Sequence, residues 1–339
     1  MNSMNIFARF LFATITVGFS LSLSATPATD YATLTRDVRQ IPMSGTAGGL
    51  AVIGRLAIPV AISTEQTAPI AAGYFGDQPK GGRMVGFAHT SLSDPSHPDR
   101  RQFLRNVVKW AGRSPDPKLA CGPGVRHQPW KQLGVNASAI STPPPADALA
   151  RFDVIILSLH DNQLPGSVAA LRTFARSGKG ILFTGTPWAA KKEVLEAVNQ
   201  FIQEAGLAFH GDYSSDKSFS IPSRLTSPYR SALIGIDALT EEKAGRQELA
   251  ASSLKIASRA VAEGLAVRPA ALGLASRVAS LSDAAGWIQP TKAKPLIKDR
   301  SPVEAMLARY QADQLDSLPA DKLPAHPSAA DWPGGVPAD

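Results

Sequence analysis

Residues 151–189, RFDVIILSLHDNQLPGSVAALRTFARSGKGILFTGTPWA, hold two short apolar runs on either side of one amphipathic segment. From Asp153 to Leu159 the run is β-branched and apolar at nearly every position, as a strand buried on both faces of a sheet requires. It reads as a central strand. After Pro165, Val168, Leu171 and Phe174 recur at three-residue spacing beside Arg172 and Arg176, and Ser177-Gly178 supplies a stop. This is the pattern of a helix. Gly180 to Thr184 repeats the buried-strand pattern and ends in Gly185-Thr186-Pro187-Trp188, so strand, crossover helix and strand follow in order and imply a parallel sheet.

Working outward, the same alternation continues on both sides. Upstream, helical spacing at Arg101–Ala111 is followed by a strand at Leu119-Ala120-Cys121, a short helix near Gln128–Leu133, and a strand at Val135–Ile140 that precedes the Pro143-Pro144-Pro145 turn. Before these, Gly48–Ile53, Ala57–Ile62, Ile70–Phe75 and Arg83–Ala88 are short apolar runs separated by turn residues, which predicts strands and hairpins, with Lys80-Gly81-Gly82 as one hairpin turn. Downstream, Glu193–Ala205 is an amphipathic helix closed by Gly206, and Leu207–His210 adds a further strand. Beyond Gly211 the strand signals fade. Segments 229–243, 246–263, 268–282 and 302–316 are rich in Ala and Leu at helical spacing and predict a helical appendage.

The order predicts a flavodoxin-like α/β sheet, whose ligands sit beyond the carboxyl ends of the strands. Those ends carry His160-Asp161 and Thr184–Trp188. Here the chain resembles the class I glutamine amidotransferase-like module at the front of the enhancin-type, mucin-degrading zinc metallopeptidases and of the TRPM-channel-associated factors. The resemblance rests on FDVIIL, LRTFARSGKGILFTGTPW, GGRMVGFAHTSL and AHPSAADWPGGVP, and runs from about Gly45 onward. In active amidotransferases the strand after the glycine-rich helix end delivers a cysteine on a tight strand-to-helix turn. Matching GKGILFTGTPW to that turn puts Gly185, or a residue beside it, at the nucleophile position. Glycine has no group with which to attack. The resemblance also implies a backbone-rich edge ending in glycine-histidine, where this chain has Ala88-His89.

The first 25 residues join Arg9 to the apolar run FLFATITVGFSLSLS and the small residues Ser22, Ser24 and Ala25, the build of a secretory signal peptide. Export to the periplasm or the medium is the expectation, with mature protein starting near Ala25 or Thr26. That run is shorter than the roughly 20 residues of a spanning helix, so no integral membrane segment is expected. Residues 26–44 carry no strong period and read as a lead-in to an α/β domain over 45–212. The helical appendage then covers 213–318. Residues 319–339, rich in Pro, Ala and Asp, read as a linker, and the resemblance implies that it leads toward a peptidase domain.

The chain has 35 Lys+Arg against 28 Asp+Glu, an excess of +7 that is dispersed rather than gathered with aromatics into a stripe. That disfavours nucleic acid. Cys121 is the sole cysteine, which excludes an internal disulfide and a CxxC motif. None of the six histidines is followed by Glu and no two stand four apart, so the H-E-x-x-H helix of a zinc peptidase is absent. A site assembled from His89, His127 and His160 would need the fold to gather them. Ser214-x-x-Lys217 and Ser252-x-x-Lys255 match S-x-x-K without the companion motifs. Gly178-Lys179-Gly180 lacks the rest of a phosphate loop and reads as a helix C-cap.

Two functional readings follow. In the first, the chain is an exported non-catalytic amidotransferase-like module, without cofactor or metal, that binds a glycoprotein or peptide or serves as support. His89, His160, Asp161, Gly185, Thr186 and Trp188 would form its rim, with Trp188 either stacking on a sugar ring or covering the next helix. In the second, it is a hydrolase or amidotransferase with a displaced nucleophile, Cys121, Thr184 or Thr186, served by His160.

Overall fold

The two apolar runs of the opening stretch lie side by side, parallel and fully buried, in a computed structural model that describes residues 26–141, 146–225 and 227–267, with 274, 277 and 278. In chain order the elements begin with α1 (Pro27–Leu34), β1 (Gln40–Pro42), β2 (Ala47–Val52), β3 (Ile58–Ala61), β4 (Ile70–Tyr74) and β5 (Arg83–Phe87). Next come α2 (Arg101–Gly112), β6 (Lys118–Cys121), α3 (Gln128–Gln132), β7 (Asn136–Ala139), α4 (Ala146–Ala150) and β8 (Val154–Ser158). The series closes with α5 (Val168–Arg176), β9 (Gly180–Thr184), α6 (Lys192–Ile202), β10 (Leu207–Ser214), β11 (Ser218–Ser220), α7 (Ala232–Lys243) and α8 (Ala251–Val267).

Seven strands form one sheet in the order β3-β4-β5-β9-β8-β6-β7. The five from β5 to β7 are parallel, while β3 and β4 join antiparallel through hairpins, the second turning at Lys80-Gly81-Gly82 as its sequence predicts. The architecture is flavodoxin-like. Alternate residues explain why these strands carry no polar face: Val85, Leu119, Ile156 and Leu182 enter a core capped by α1, α2 and α3. Their neighbours Met84, Ala120, Ile155 and Ile181 enter a second core under α4, α5 and α6. Both faces are covered, as a parallel sheet requires.

Three readings of the sequence are corrected. The 26–44 lead-in is structured, because α1 begins with a capping box between Thr26 and Thr29 and docks Tyr31 and Leu34 into the first core. The β2 run forms no local hairpin. It pairs antiparallel with β10, about which the sequence is silent because the partner lies more than 150 residues away. Strand structure also continues past 212, since β10 reaches Ser214 and β11 pairs with β1, so the helical region begins later than 213. There α7 and α8 pack on the outer side of the β2–β10 ribbon around Ile53, Ile236, Val261 and Leu265. The signal-peptide, linker and 302–316 readings fall outside the described residues, as does most of 268–282. Among the described residues no helix is long and apolar enough to cross a membrane.

Candidate functional site

The sheet reverses its order beside β6: the chain leaves β6 for β7 on one side and returns to β8 on the other. Ligands of open α/β sheets collect at this kind of crevice. Here the β6 end continues as Gly122-Pro123-Gly124 and the β8 end as Leu159-His160-Asp161, and between them lies a cavity of about 340 Å³ lined by Pro123, Gly124, Ser158, His160, Asp161 and Gln163. Asp161 accepts from the Gln163 N–H at 3.0 Å through one oxygen, while Oδ2 is enclosed without a partner among the described residues. Ser158 receives the His160 N–H at 3.2 Å. Sequence reasoning placed His160 and Asp161 here and missed Pro123, Gly124, Ser158 and Gln163, whose signal was the reversal of strand order rather than any motif.

On its other side His160 meets the end of β9. Its Nε2 accepts from the Thr186 N–H at 3.3 Å and lies 3.0 Å from Thr186 Oγ1. Because the backbone N–H can only donate, Nε2 is an acceptor and the ring proton sits on Nδ1. Thr186 is buried, its hydroxyl aimed at an imidazole at the distance a nucleophile and its base would keep. Among the described residues no carboxylate bonds to His160 to orient the ring.

The other nucleophile candidates are not brought to His160. Cys121 is 1% exposed within the first core, and burial pushes its thiol up to about 12, so it is a neutral small hydrophobe. Thr184 Oγ1 is held 2.6 Å from Ser93 Oγ, against the turn that follows β5. The His89–His127–His160 grouping does not assemble either, since among the described residues no three potential metal ligands stand together. His89 instead caps the turn Thr90–Ser93, with Nδ1 accepting from Ser91 N–H at 3.0 Å. Burial holds its pKa below the usual histidine value, and the charges of Arg100 and His160 push the same way. Buried Arg100, missed in the sequence, ties this turn to β1 by donating to Pro42 O at 2.9 Å and to Ser91 O.

Gly185 decides what the β9 end can do. Its φ is +156°, and a Cβ placed there would lie 2.6 Å from Leu159 Cβ, so no side chain fits at the elbow. The neighbouring backbone donors are spent inside the protein: Gly185 N–H on Phe87 O at 3.2 Å, Thr186 N–H on His160, and Ala88 N–H on Pro69 O at 2.9 Å. The following turn, Pro187–Ala189, is pressed on β2, where a Cβ on Gly48 would come within 2.6 Å of Pro187 Cδ. Trp188 is thereby turned outward and is 54% exposed.

Residues 16–224 match the family model TCAF_N, described as TRPM8, N-terminal domain. The chain belongs to the TCAF_N family. Its fold is also that of the IMPa metallopeptidase from Pseudomonas aeruginosa, at 15% identity and a TM-score of 0.52 over 83% of this chain and 34% of that one. IMPa in complex with an O-glycopeptide aligns at 13% identity, a TM-score of 0.52, and 83% and 37% coverage. A third structure, IMPa in complex with T-antigen, aligns at 14% identity and 0.51, covering 84% and 37%. This TCAF_N chain thus spans about a third of the length of those proteins. No curated protein matches it.

Proposed function

We propose that this TCAF_N chain is an exported, non-catalytic amidotransferase-like module that recognises a glycan or glycopeptide at the carboxyl ends of β8 and β9, in the manner of a front module of an enhancin-type metallopeptidase. The observation that carries the reading is the closed elbow. Gly185 admits no side chain, and the N–H groups of Ala88, Gly185 and Thr186 that could steady an oxyanion are already bonded. What is left free suits recognition: an outward Trp188 ring for stacking, and the enclosed Asp161 Oδ2 as an acceptor for a hydroxyl. The O-glycopeptide and T-antigen of the similar IMPa structures recommend the probes. Export belongs to the proposal, and an intact Met1 terminus on periplasmic material would count against it.

The test is titration of an O-glycopeptide carrying T-antigen into the full chain and into Trp188→Ala. Because Trp188 is more than half exposed, the variant should keep its thermal midpoint while binding weakens about tenfold or more, the loss of one stacked ring. Unchanged binding in Trp188→Ala would move the site away from this rim. The Thr186–His160 pair supports a second reading, a hydrolase with Thr186 as nucleophile. Hydrolysis of glutamine or of a glycopeptide, abolished in Thr186→Val and His160→Gln alike, would establish it.

A further inference from the structure

One face of α8 faces the protein without being wholly apolar, since charged residues stand there beside Ile256 and Ala260. Ala257, Val261 and Leu265 pack toward α7 and the β2–β10 ribbon, as an amphipathic helix should. Ser252, Lys255, Arg259 and Glu263, recurring at three- and four-residue spacing, instead line a cavity of about 360 Å³ between α8 and the first strands of the α/β body. The opposite wall is apolar, with Leu50, Pro59, Ile62 and Ala68. The volume is at the lower end of small-molecule sites, which run from about 300 Å³ upward.

Charge within this cavity does not balance. Arg259 is occupied, with Nε 2.7 Å from Glu263 Oε1 and a second contact of 3.6 Å to Asp212. Arg230 is not. Its Nη2 donates to the neutral Gln66 Oε1 at 3.0 Å, and its Nε is enclosed with no acceptor among the described residues. Lys255, exposed at the mouth, has no carboxylate partner among the described residues. The carboxylate whose charge reaches Arg230 is Glu263, which is already bonded to Arg259, so this partly buried guanidinium bonds no anion of its own and is poorly compensated unless something supplies one. The buried Glu263 carboxyl in the same wall would repel a doubly charged group, so a single negative charge fits best.

We propose that the cavity between α8 and the β2–β3 strands binds a monocarboxylate carried on an apolar body, the carboxylate meeting Arg230 and Lys255 and the body resting on Leu50, Pro59 and Ile62. This site is separate from the strand-end rim and does not depend on the glycan reading.

The experiment is calorimetric titration of the full chain with 4-phenylbutyrate and with N-acetylphenylalanine, each beside its carboxamide. At least one acid should saturate a single site, about tenfold or more tighter than its amide, and R230Q and K255Q should each weaken it by a similar factor. Lys255 is exposed, so K255Q should leave the thermal midpoint in place and separate lost binding from lost fold. A preference for N-acetylphenylalanine would identify a peptide terminus as the natural source, and a preference for 4-phenylbutyrate a free small acid. The proposal is overturned if neither acid saturates, if the amides bind as tightly, or if K255Q binds like the parent.

Discussion

At Gly185 the backbone leaves no room for a side chain. Replacing it by cysteine tests the proposed loss of a nucleophile at the end of β9: the Cβ would press on Leu159 at a φ that side chains rarely adopt. Gly185→Cys should therefore lower stability by about 2–4 kcal/mol in urea unfolding and release no ammonia from glutamine. His210 makes a second residue-scale case. It is buried opposite Gly49, and burial with the nearby Arg259 charge pushes its pKa down to about 3. The unfolded chain binds a proton below about pH 6.5 while the folded chain does not, so this histidine makes stability fall as pH drops. Asp212 and Glu263, held above the usual carboxylate range chiefly by burial, act in the opposite sense, which makes a difference measurement necessary. Between about pH 6 and pH 4, His210→Gln should flatten the loss of stability by about 1.4 kcal/mol per pH unit relative to the parent. Equal slopes would mean that His210 is protonated in the fold.

Among the elements, α1 shows why a stretch without period can still be structural. Its one buried carboxylate, Asp30, accepts from Tyr74 Oη at 2.7 Å and from Trp110 Nε1 at 2.8 Å, joining the first helix to β4 and α2. Asp30→Ala would leave both donors buried and unpaired, and the denaturation midpoint should fall by an amount equal to about 3 kcal/mol. A loss under about 1 kcal/mol would mean that water reaches the two donors. The parallel strands and α5 were legible because both faces of a buried strand, and one face of a helix, write themselves into consecutive residues. The α1 docking and the β2–β10 pairing were not, since each joins residues far apart and neither changes local spacing. The site divides likewise: His160 and Asp161 follow from a strand end, whereas the Thr186 contact, the Pro123-Gly124 wall and the Arg230 cavity exist only once distant segments meet.

For the molecule as a whole, the question is whether α7 and α8 are a separate unit. The family match stops at residue 224, before either helix, but the packing does not stop there. The β2–β10 ribbon is shared between two cores: Leu50, Val52, Leu207 and Phe209 face the helices of the sheet, while Ala51, Ile53 and Ala208 face α7 and α8. Polar contacts reinforce the junction, with Ser231 Oγ donating to Ile53 O at 3.0 Å and to Gly54 O at 2.7 Å, and Arg55 paired with Asp237. Removing the helices would bare one side of a ribbon whose other side is required by the α/β core. A chain ending at residue 226 should therefore lose about 3–5 kcal/mol, bind an apolar dye such as ANS, and associate on a sizing column. If it stays monomeric, excludes the dye and keeps the parent's urea midpoint, the helical pair is an independent domain. The same comparison bears on the anion cavity, because Arg230 and the α8 stripe would be deleted together while the strand-end rim around His160 and Trp188 would remain.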